Sequence, residues 1–456
     1  MDDRTNSRSR WRNVYFEHQL NMSKKVSIFW FRRDLRLDDN AGLLEALKSG
    51  YPVLPLFIFD KAILDKLPKD DARLSFIFDI LQKMRSELKE KHNSSLVLCY
   101  GRPERVFQDL IKEYNIQSVY TNRDYEPYAK KRDDEINGLL EKENINFRTF
   151  KDQVIFEKNE VVKDDGKPYV VYTPYKNKWK LRFNANQLLP HDPKPFFQNL
   201  ISNAELPNVT LEEMGFKKSA IKVLDYRITP ESISKYEATR NFPAIENGTS
   251  RLGPHLRFGT VSVRKMMEKA IAEENEIFWN ELIWREFFMQ ILWHFPHTVS
   301  QSFRPKYDRI EWRNNEMEFE KWKKGETGYA LVDAGMRQLN TTGFMHNRVR
   351  MLAASFLCKH LLIDWRWGEA YFAEKLLDYD MSANVGNWQW AAGSGVDAAP
   401  YFRIFNPMTQ IEKFDKQKEY IHKWVPDLQE LTYPPKMVDH KMARERCLKV
   451  YKEAVA

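Results

Sequence analysis

The chain has 456 residues, a formal net charge of +8, and a composition that is 43% hydrophobic and 14% aromatic. That length supports two or three domains with their own cores, and the basic balance favours a polyanionic partner. The three cysteines, Cys99, Cys358 and Cys447, stand far apart; they exclude a disulfide framework, a cysteine zinc set and a four-cysteine iron–sulfur cluster, and fit a reducing compartment.

No apolar run approaches the ~20 residues of a membrane span. Residues 1–21 lack the apolar core of a signal peptide, and Met22 directly precedes SKKVSIFWF, so 1–21 is expected to be a disordered extension outside the fold. From there short apolar runs alternate with amphipathic ones. Val26–Phe31, Val53–Asp60, Leu96–Tyr100, Ser118–Thr121 and Phe147–Phe150 read as strands. Asn40–Lys48, Ala72–Lys91, Pro103–Tyr114 and Tyr128–Glu143 read as helices between them. This alternation predicts a doubly wound α/β domain over 22–150, with its crevice beyond the carboxyl ends of the strands. FRRDLRLDDN follows the first strand where a G-x-G-x-x-G would stand, so dinucleotide binding is not expected in this domain.

Residues 151–225 scatter Pro174, Pro190, Pro193, Pro195 and Pro207 among polar positions and read as a linker wrapping the surface. From 226 to 456 helical periodicity takes over: Val263–Glu273, Glu276–Trp293, Gly328–Leu339, Met345–Lys359 and Gly368–Leu377. This second domain is expected to be all-α.

Its centre, Gly343 to Arg403, sets Asn347, Arg350, Asp378, Asp380 and Asn384 among apolar and aromatic residues. Buried polar side chains are costly without partners, so the stretch implies an internal polar ligand or a dense polar network. Asn347, Arg350 and Met351 share a helical face, combining an amide, a charged fork and a polarizable thioether. Two carboxylates, Asp378 and Asp380, have no His or Cys to complete a metal set; pairing with Arg350 and with ligand hydroxyls or ring N–H groups is more economical, and no metal is expected. Trp388 and Trp390 fall on nearly opposite helical faces, one inward and one outward. Thr249-Ser250-Arg251-Leu252 offers hydroxyls and N–H groups for a phosphate, or two ordinary helix caps. Glu281 and Trp284 share a face and suit a flat polar ligand, or Glu281 pairs with Arg285 at i,i+4.

Taken together, the motifs FWFRRDLRLDDN, TSRLGPHLRFGTVSVR, NELIWREF, GMRQLNTTGFMHNRVRM, LLIDWRWGEAYF, LLDYDMSANVGNWQW and DAAPYFRIFNPMTQIEKFD resemble the photolyase/cryptochrome flavoproteins over nearly the whole chain. Within that family they are most similar to the class I cyclobutane pyrimidine dimer photolyases. The resemblance implies non-covalent, reduced FAD, light-driven electron transfer to a flipped-out dimer, and return of the electron after the ring splits. Tyr236, Thr249, Ser250, Arg251, Leu252 and Gly253 match positions around the FAD phosphates; Asn347, Arg350, Asp378, Asp380 and Asn384 match those around its ring and ribityl chain. Asn384 would face flavin N5 and favour the reduced cofactor. Glu281, Asn347, Trp284, Met351 and Trp390 match the dimer pocket, and Trp388, Trp365 and Trp312 an electron chain. Arg240, Arg285, Arg348, Arg403 and Gln410 match DNA contacts.

His346-Asn347 stands where six-four photolyases resemble His-His, and Asn384 where plant-type cryptochromes usually carry Asp. Phe344, Val385, Asn387 and His255 depart from frequent family residues. The resemblance also implies an antenna chromophore of folate or deazaflavin type, without a decisive contact for either, and a monomer acting on dimer-containing DNA in the cytoplasm or nucleoid. The alternative is a blue-light photoreceptor that signals without repair.

Overall fold

The computed structural model describes residues 25–456 apart from Glu274; the expected extension 1–21 lies outside the described residues. The first part is a five-stranded, wholly parallel sheet of order β3-β2-β1-β4-β5, with β1 Lys25–Phe31, β2 Val53–Asp60, β3 Val97–Gly101, β4 Asn115–Asn122 and β5 Asn146–Phe150. Every residue of β1 after Lys25 and every residue of β2 is buried, which is why these strands read as continuous apolar runs. Pro55 is tolerated in β2 because pairing with β3 begins only at Leu56. Four crossover helices cover the faces: α1 Ala41–Leu47, α2 Ala72–His92, α3 Pro103–Glu113 and α4 Pro127–Lys142. Asn40 caps α1 and Asp71 caps α2 through side-chain oxygens.

The 151–225 segment does more than wrap. It contains α5 Tyr172–Arg182, whose Tyr175 and Trp179 are buried in a core shared with the helical part. Prolines and lysines masked this in the sequence because the apolar residues of α5 are few and large.

The remainder is helical, as expected. Its principal helices are α6 Gly253–Phe258, α7 Val263–Ala272, α8 Glu276–His294, α9 Ala330–Thr342, α10 Asn347–Ser355, α11 Trp365–Lys375, α12 Met381–Ala392, α13 Pro407–Phe414 and α14 His440–Val455. The expected helix Met345–Lys359 is two segments: α10 gives way to a π-turn at Phe356–His360, a rare geometry that periodicity cannot announce. The core of this half gathers Trp322, Trp365, Trp388, Phe356 and Phe372. Gly259, at φ 64, lets the end of α6 touch the chain after β1; a Cβ there would lie 2.1 Å from the Arg33 carbonyl oxygen.

Candidate functional site

A cavity of about 230 Å³ opens at the centre of the helical half. α10 lines it with Asn347, Arg350 and Met351, α12 with Asn384, Trp388 and Trp390, and the loop between α11 and α12 with Asp378 and Asp380. Gly253 from α6, matched above to the FAD phosphates, and Arg285 from α8, matched to DNA contacts, line it as well. Local capping sets the geometry. His346 caps α10, its Nδ1 accepting from the Arg348 N–H at 3.1 Å, which places Asn347 in the first turn and Arg350 and Met351 one turn on. Asp380 caps α12, accepting from the N–H groups of Ser382 and Ala383 at 3.1 and 3.4 Å.

The charges are paired. Arg350 forks onto Asp378 at 3.1 and 2.8 Å and donates Nε to the Met345 carbonyl at 2.7 Å. Asp380 accepts from Arg33, and Arg257 reaches it at 3.5 Å. Burial alone would raise the Asp380 carboxyl, but Arg33, Arg257 and Arg285 outweigh it and hold the group below the usual carboxylate range. Asn384 donates its amide to the Glu369 carbonyl and to Glu369 Oε1, at 3.1 and 2.8 Å. Burial raises the Glu369 carboxyl, partly offset by that bond.

The other anticipated residues do not line this cavity. Glu281 pairs with Arg240 at 2.6 Å, not with Arg285; Arg285 instead donates to the carbonyls of Gln153 and Leu256 at 2.6 and 3.3 Å. Trp284 stacks on Tyr172 with 3.6 Å between ring centroids. Tyr236 carries the Arg240 guanidinium over its ring at 5.2 Å. Thr249 and Arg251 line a second cavity of about 630 Å³, which shares Asp378 with the first. Ser250 offers its carbonyl to Arg227 at 2.8 Å, and Leu252 is buried. Neither Thr249 nor Ser250 caps α6, whereas Ser262 does cap α7. Arg348 donates to Asn241 and sits over Phe414 at 4.3 Å. Arg403 is exposed with its carbonyl held by Lys359 at 2.8 Å, and Gln410 is half-buried in α13.

The tryptophans are spread through the core. Trp388 packs edge-on against Phe372 and Trp322, at 4.9 and 6.1 Å. Trp365 is buried with its indole N–H lacking an acceptor among the described residues. Trp312 is half-buried and edge-on to Tyr451 at 6.0 Å. Trp388 and Trp390 differ in burial, as their spacing suggested, yet both line the same cavity.

Sequence reasoning missed Arg33, Arg257 and Glu369. The doublet Arg32-Arg33 after a buried strand was the one available signal for the first; Glu369 carried none, because its partner Asn384 lies 15 positions away on another helix.

The cavity suits a planar heterocycle. Its lining combines apolar Met351, Ala354, Phe372, Leu376 and Trp388 with polar Arg350, Asp380 and Asn384, and Asn384 Oδ1 accepts no hydrogen bond among the described residues. These residue types fit an isoalloxazine ring, which needs apolar atoms for its faces and polar groups for its heteroatoms. Among the described residues, no group of three or more His, Cys, Asp or Glu could hold a metal ion.

A parallel sheet domain joined to a helical half with this cavity defines a two-domain flavoprotein. Residues 27–195 match the family described as DNA photolyase, and 278–432 the FAD binding domain of DNA photolyase. The deoxyribodipyrimidine photo-lyase of Agrobacterium fabrum is 38% identical, covering 94% of this chain and 98% of that one. Among solved structures, a class III photolyase from Agrobacterium tumefaciens is 34% identical with a TM-score of 0.83, over 96% of this chain and 99% of that one. A photolyase from Sulfolobus tokodaii, described with two FAD molecules, is 35% identical with a TM-score of 0.79, over 94% and 100%. The chain belongs to the photolyase/cryptochrome family, on its DNA photolyase side.

Proposed function

We propose that this chain is a light-dependent DNA repair enzyme that binds FAD and splits cyclobutane pyrimidine dimers. One observation carries the reading: a single cavity joins Asn347, Met351 and Trp390, suited to a lesion, with Arg350, Asp378, Asp380 and Asn384, suited to a flavin edge. The curated relatives, named deoxyribodipyrimidine photo-lyase over nearly the full chain, support it.

When bound, reduced FAD supplies the light-excited electron that opens the cyclobutane ring. The chain's own residues supply position and field. Glu369 holds the Asn384 amide so that Oδ1 is the acceptor offered to the ring edge. The Arg350–Asp378 fork and Asp380 give that edge fixed charge, already paired and so needing no reorganisation. Apolar walls exclude water. Arg240 and Glu281, at 2.6 Å, form a polar station beside the cavity for the extruded bases. Trp284, backed by Tyr172, offers an indole wall. The exposed Arg403 and the half-buried Arg348 are suited to backbone phosphates. Trp388, Trp365 and Trp312 are proposed to restore the reduced cofactor, and Tyr236 with Thr249 to Gly253 to hold its phosphates. We also propose a monomer with separate sheet and helical domains; among the described residues no helix is long and apolar enough to cross a membrane.

The test is repair of an oligonucleotide carrying one cyclobutane dimer under blue light with reductant, beside the same oligonucleotide carrying a six-four product. Restoration of the first substrate alone is expected. Failure to restore either would overturn the reading in favour of light sensing without repair. The absorption spectrum of the same preparation shows whether a second chromophore accompanies the FAD, as the two-FAD description of the Sulfolobus tokodaii relative suggests.

A further inference from the structure

One edge of the central cavity depends on a side chain from the sheet domain. Arg33 follows β1 and crosses to the start of α12, where its Nη2 donates to Asp380 Oδ2. Its Nη1 donates to Asp124 and Glu126 at 3.1 and 3.0 Å, and its Nε to the Arg257 carbonyl at 3.2 Å. The two partners are deeply buried, Arg33 9% and Asp380 8% exposed. The approach is built into the backbone, since the Leu35 N–H donates to the Phe258 carbonyl at 3.0 Å and Gly259 leaves no room for a Cβ.

Asp380 meanwhile does three things at once. Its Oδ1 caps the helix that carries Asn384, Trp388 and Trp390. Its carboxylate lines the cavity. Its Oδ2 anchors Arg33. A carboxyl this buried favours the neutral acid unless cations face it. The cations are Arg33 after β1, Arg257 on α6 and Arg285 on α8; Ser382 on α12 donates to the same carboxyl, Asp124 and Glu126 share Arg33 and oppose the charge, and the nearby Tyr379 stays a neutral phenol, raised by burial first and by Asp380 among its neighbours. Arg257, which like Arg33 also meets Glu126, lies farther from Asp380, at 3.5 Å, and Arg285 donates to two carbonyls rather than to Asp380. Arg33 is therefore the cation that most directly keeps this carboxylate charged and oriented.

We propose that Arg33 is a positioning residue of the flavin cavity: it holds Asp380 as an oriented carboxylate, so that the sheet domain completes a site built on the helical domain. This rests on the flavin reading above. A charged Asp380 offers only acceptors to a ring N–H at the cavity edge, and a neutral one adds a competing donor.

The experiment uses the full chain, stripped of flavin, as wild type, Arg33→Gln, Arg33→Lys, Asp380→Asn and the Arg33→Gln/Asp380→Asn double variant. FAD dissociation constants are read from flavin fluorescence between about pH 5 and pH 8, with circular dichroism and melting of each apoprotein alongside. Wild type is expected to show a flat profile. Arg33→Gln is expected to weaken FAD binding about tenfold at neutral pH and further as pH falls, because burial then raises the Asp380 carboxyl with one cation fewer to oppose it. Arg33→Lys restores the charge without the fork and recovers part of the affinity. Adding Arg33→Gln to Asp380→Asn is expected to change affinity by less than about twofold. A flat Arg33→Gln profile within about twofold of wild type, or fully additive losses in the double variant, overturns the proposal. If Arg33→Gln does not fold, Arg33→Lys decides at neutral pH: FAD affinity more than about twofold below wild type, for want of the fork, supports the proposal, and affinity within about twofold of wild type overturns it. Wild type that binds no FAD overturns the flavin reading itself and the proposal with it.

Discussion

Asn384 gives both hydrogens of its side-chain amide to Glu369, one to the main-chain oxygen at 3.1 Å and one to Oε1 at 2.8 Å. The amide cannot rotate without breaking both bonds, so its oxygen is fixed as the end presented to the cavity. Glu369→Leu removes the side-chain acceptor and keeps the main-chain one. Losing one hydrogen bond to a charged group costs about 2 kcal/mol, and the amide then samples both orientations. FAD should dissociate more readily, and the reduced cofactor should reoxidise faster in air in the dark. Glu369→Gln keeps an acceptor oxygen and should stay near wild type. Equal dark reoxidation rates for the Leu variant and wild type would exclude this role.

The pair Arg240–Glu281 predicts a pH effect. Burial raises the Glu281 carboxyl above its ordinary value, and Arg240 pulls it part of the way back. Arg240→Ala removes the group that favours the carboxylate, so the Glu281 pKa should rise further. If repair needs the carboxylate, activity fails as pH falls, and it fails at a higher pH in the variant. If repair needs the acid, activity fails as pH rises, and that limb also moves upward. The pH profile of single-turnover repair at saturating DNA should therefore shift to higher pH whichever form acts. An unmoved profile would separate Glu281 from the chemistry.

Much of this was legible in the residues. The strands of the sheet read correctly because both faces are covered and the runs are uniformly apolar, as in β2. The cavity residues on α10 were legible because Asn347, Arg350 and Met351 keep helical spacing. Partners across domains were not. Arg33 and Asp380 are 347 positions apart, and Arg240 meets Glu281 where a local i,i+4 pair with Arg285 was equally available. No local pattern encodes such a choice; it follows from where α8 and the Tyr236–Thr239 turn are packed. The π-turn at Phe356–His360 was hidden for a different reason, since one extra residue in a turn leaves apolar periodicity almost unchanged.

DNA binding should weaken steeply with salt, given a net charge of +8 and the counterions released from phosphate. Arg403→Ala should lower the slope of log affinity against log salt by about one and leave stability intact, because the side chain is exposed and only its carbonyl is held, by Lys359. Arg348→Ala should lower the slope similarly but also cost about 1 kcal/mol of stability, since this guanidinium lies over Phe414. Titrations of a dimer-containing duplex at several salt concentrations, with melting curves, distinguish the two cases.

Gly368 on α11 decides where the Trp388 ring can lie. A Cβ at this glycine would sit 2.1 Å from Trp388 Cη2 and 2.4 Å from Cζ3. The ring cannot retreat, because Phe372 and Trp322 hold its other sides at 4.9 and 6.1 Å. Gly368→Ala should therefore cost about 1–3 kcal/mol through overpacking and displace the indole proposed to pass electrons to the flavin. Blue-light reduction of oxidised FAD should slow, while affinity for dimer-containing DNA stays close to wild type. Trp388→Phe makes room at the same place and should abolish photoreduction on its own. The double variant Gly368→Ala/Trp388→Phe should regain part of the lost stability, because the smaller ring relieves the closer contacts while Leu357 Cδ2 still lies 2.6 Å from the new methyl, yet it should not regain photoreduction. Recovery of stability alone would show that Gly368 acts through the Trp388 ring. Wild-type photoreduction in the double variant would show that electrons reach the cavity without this indole.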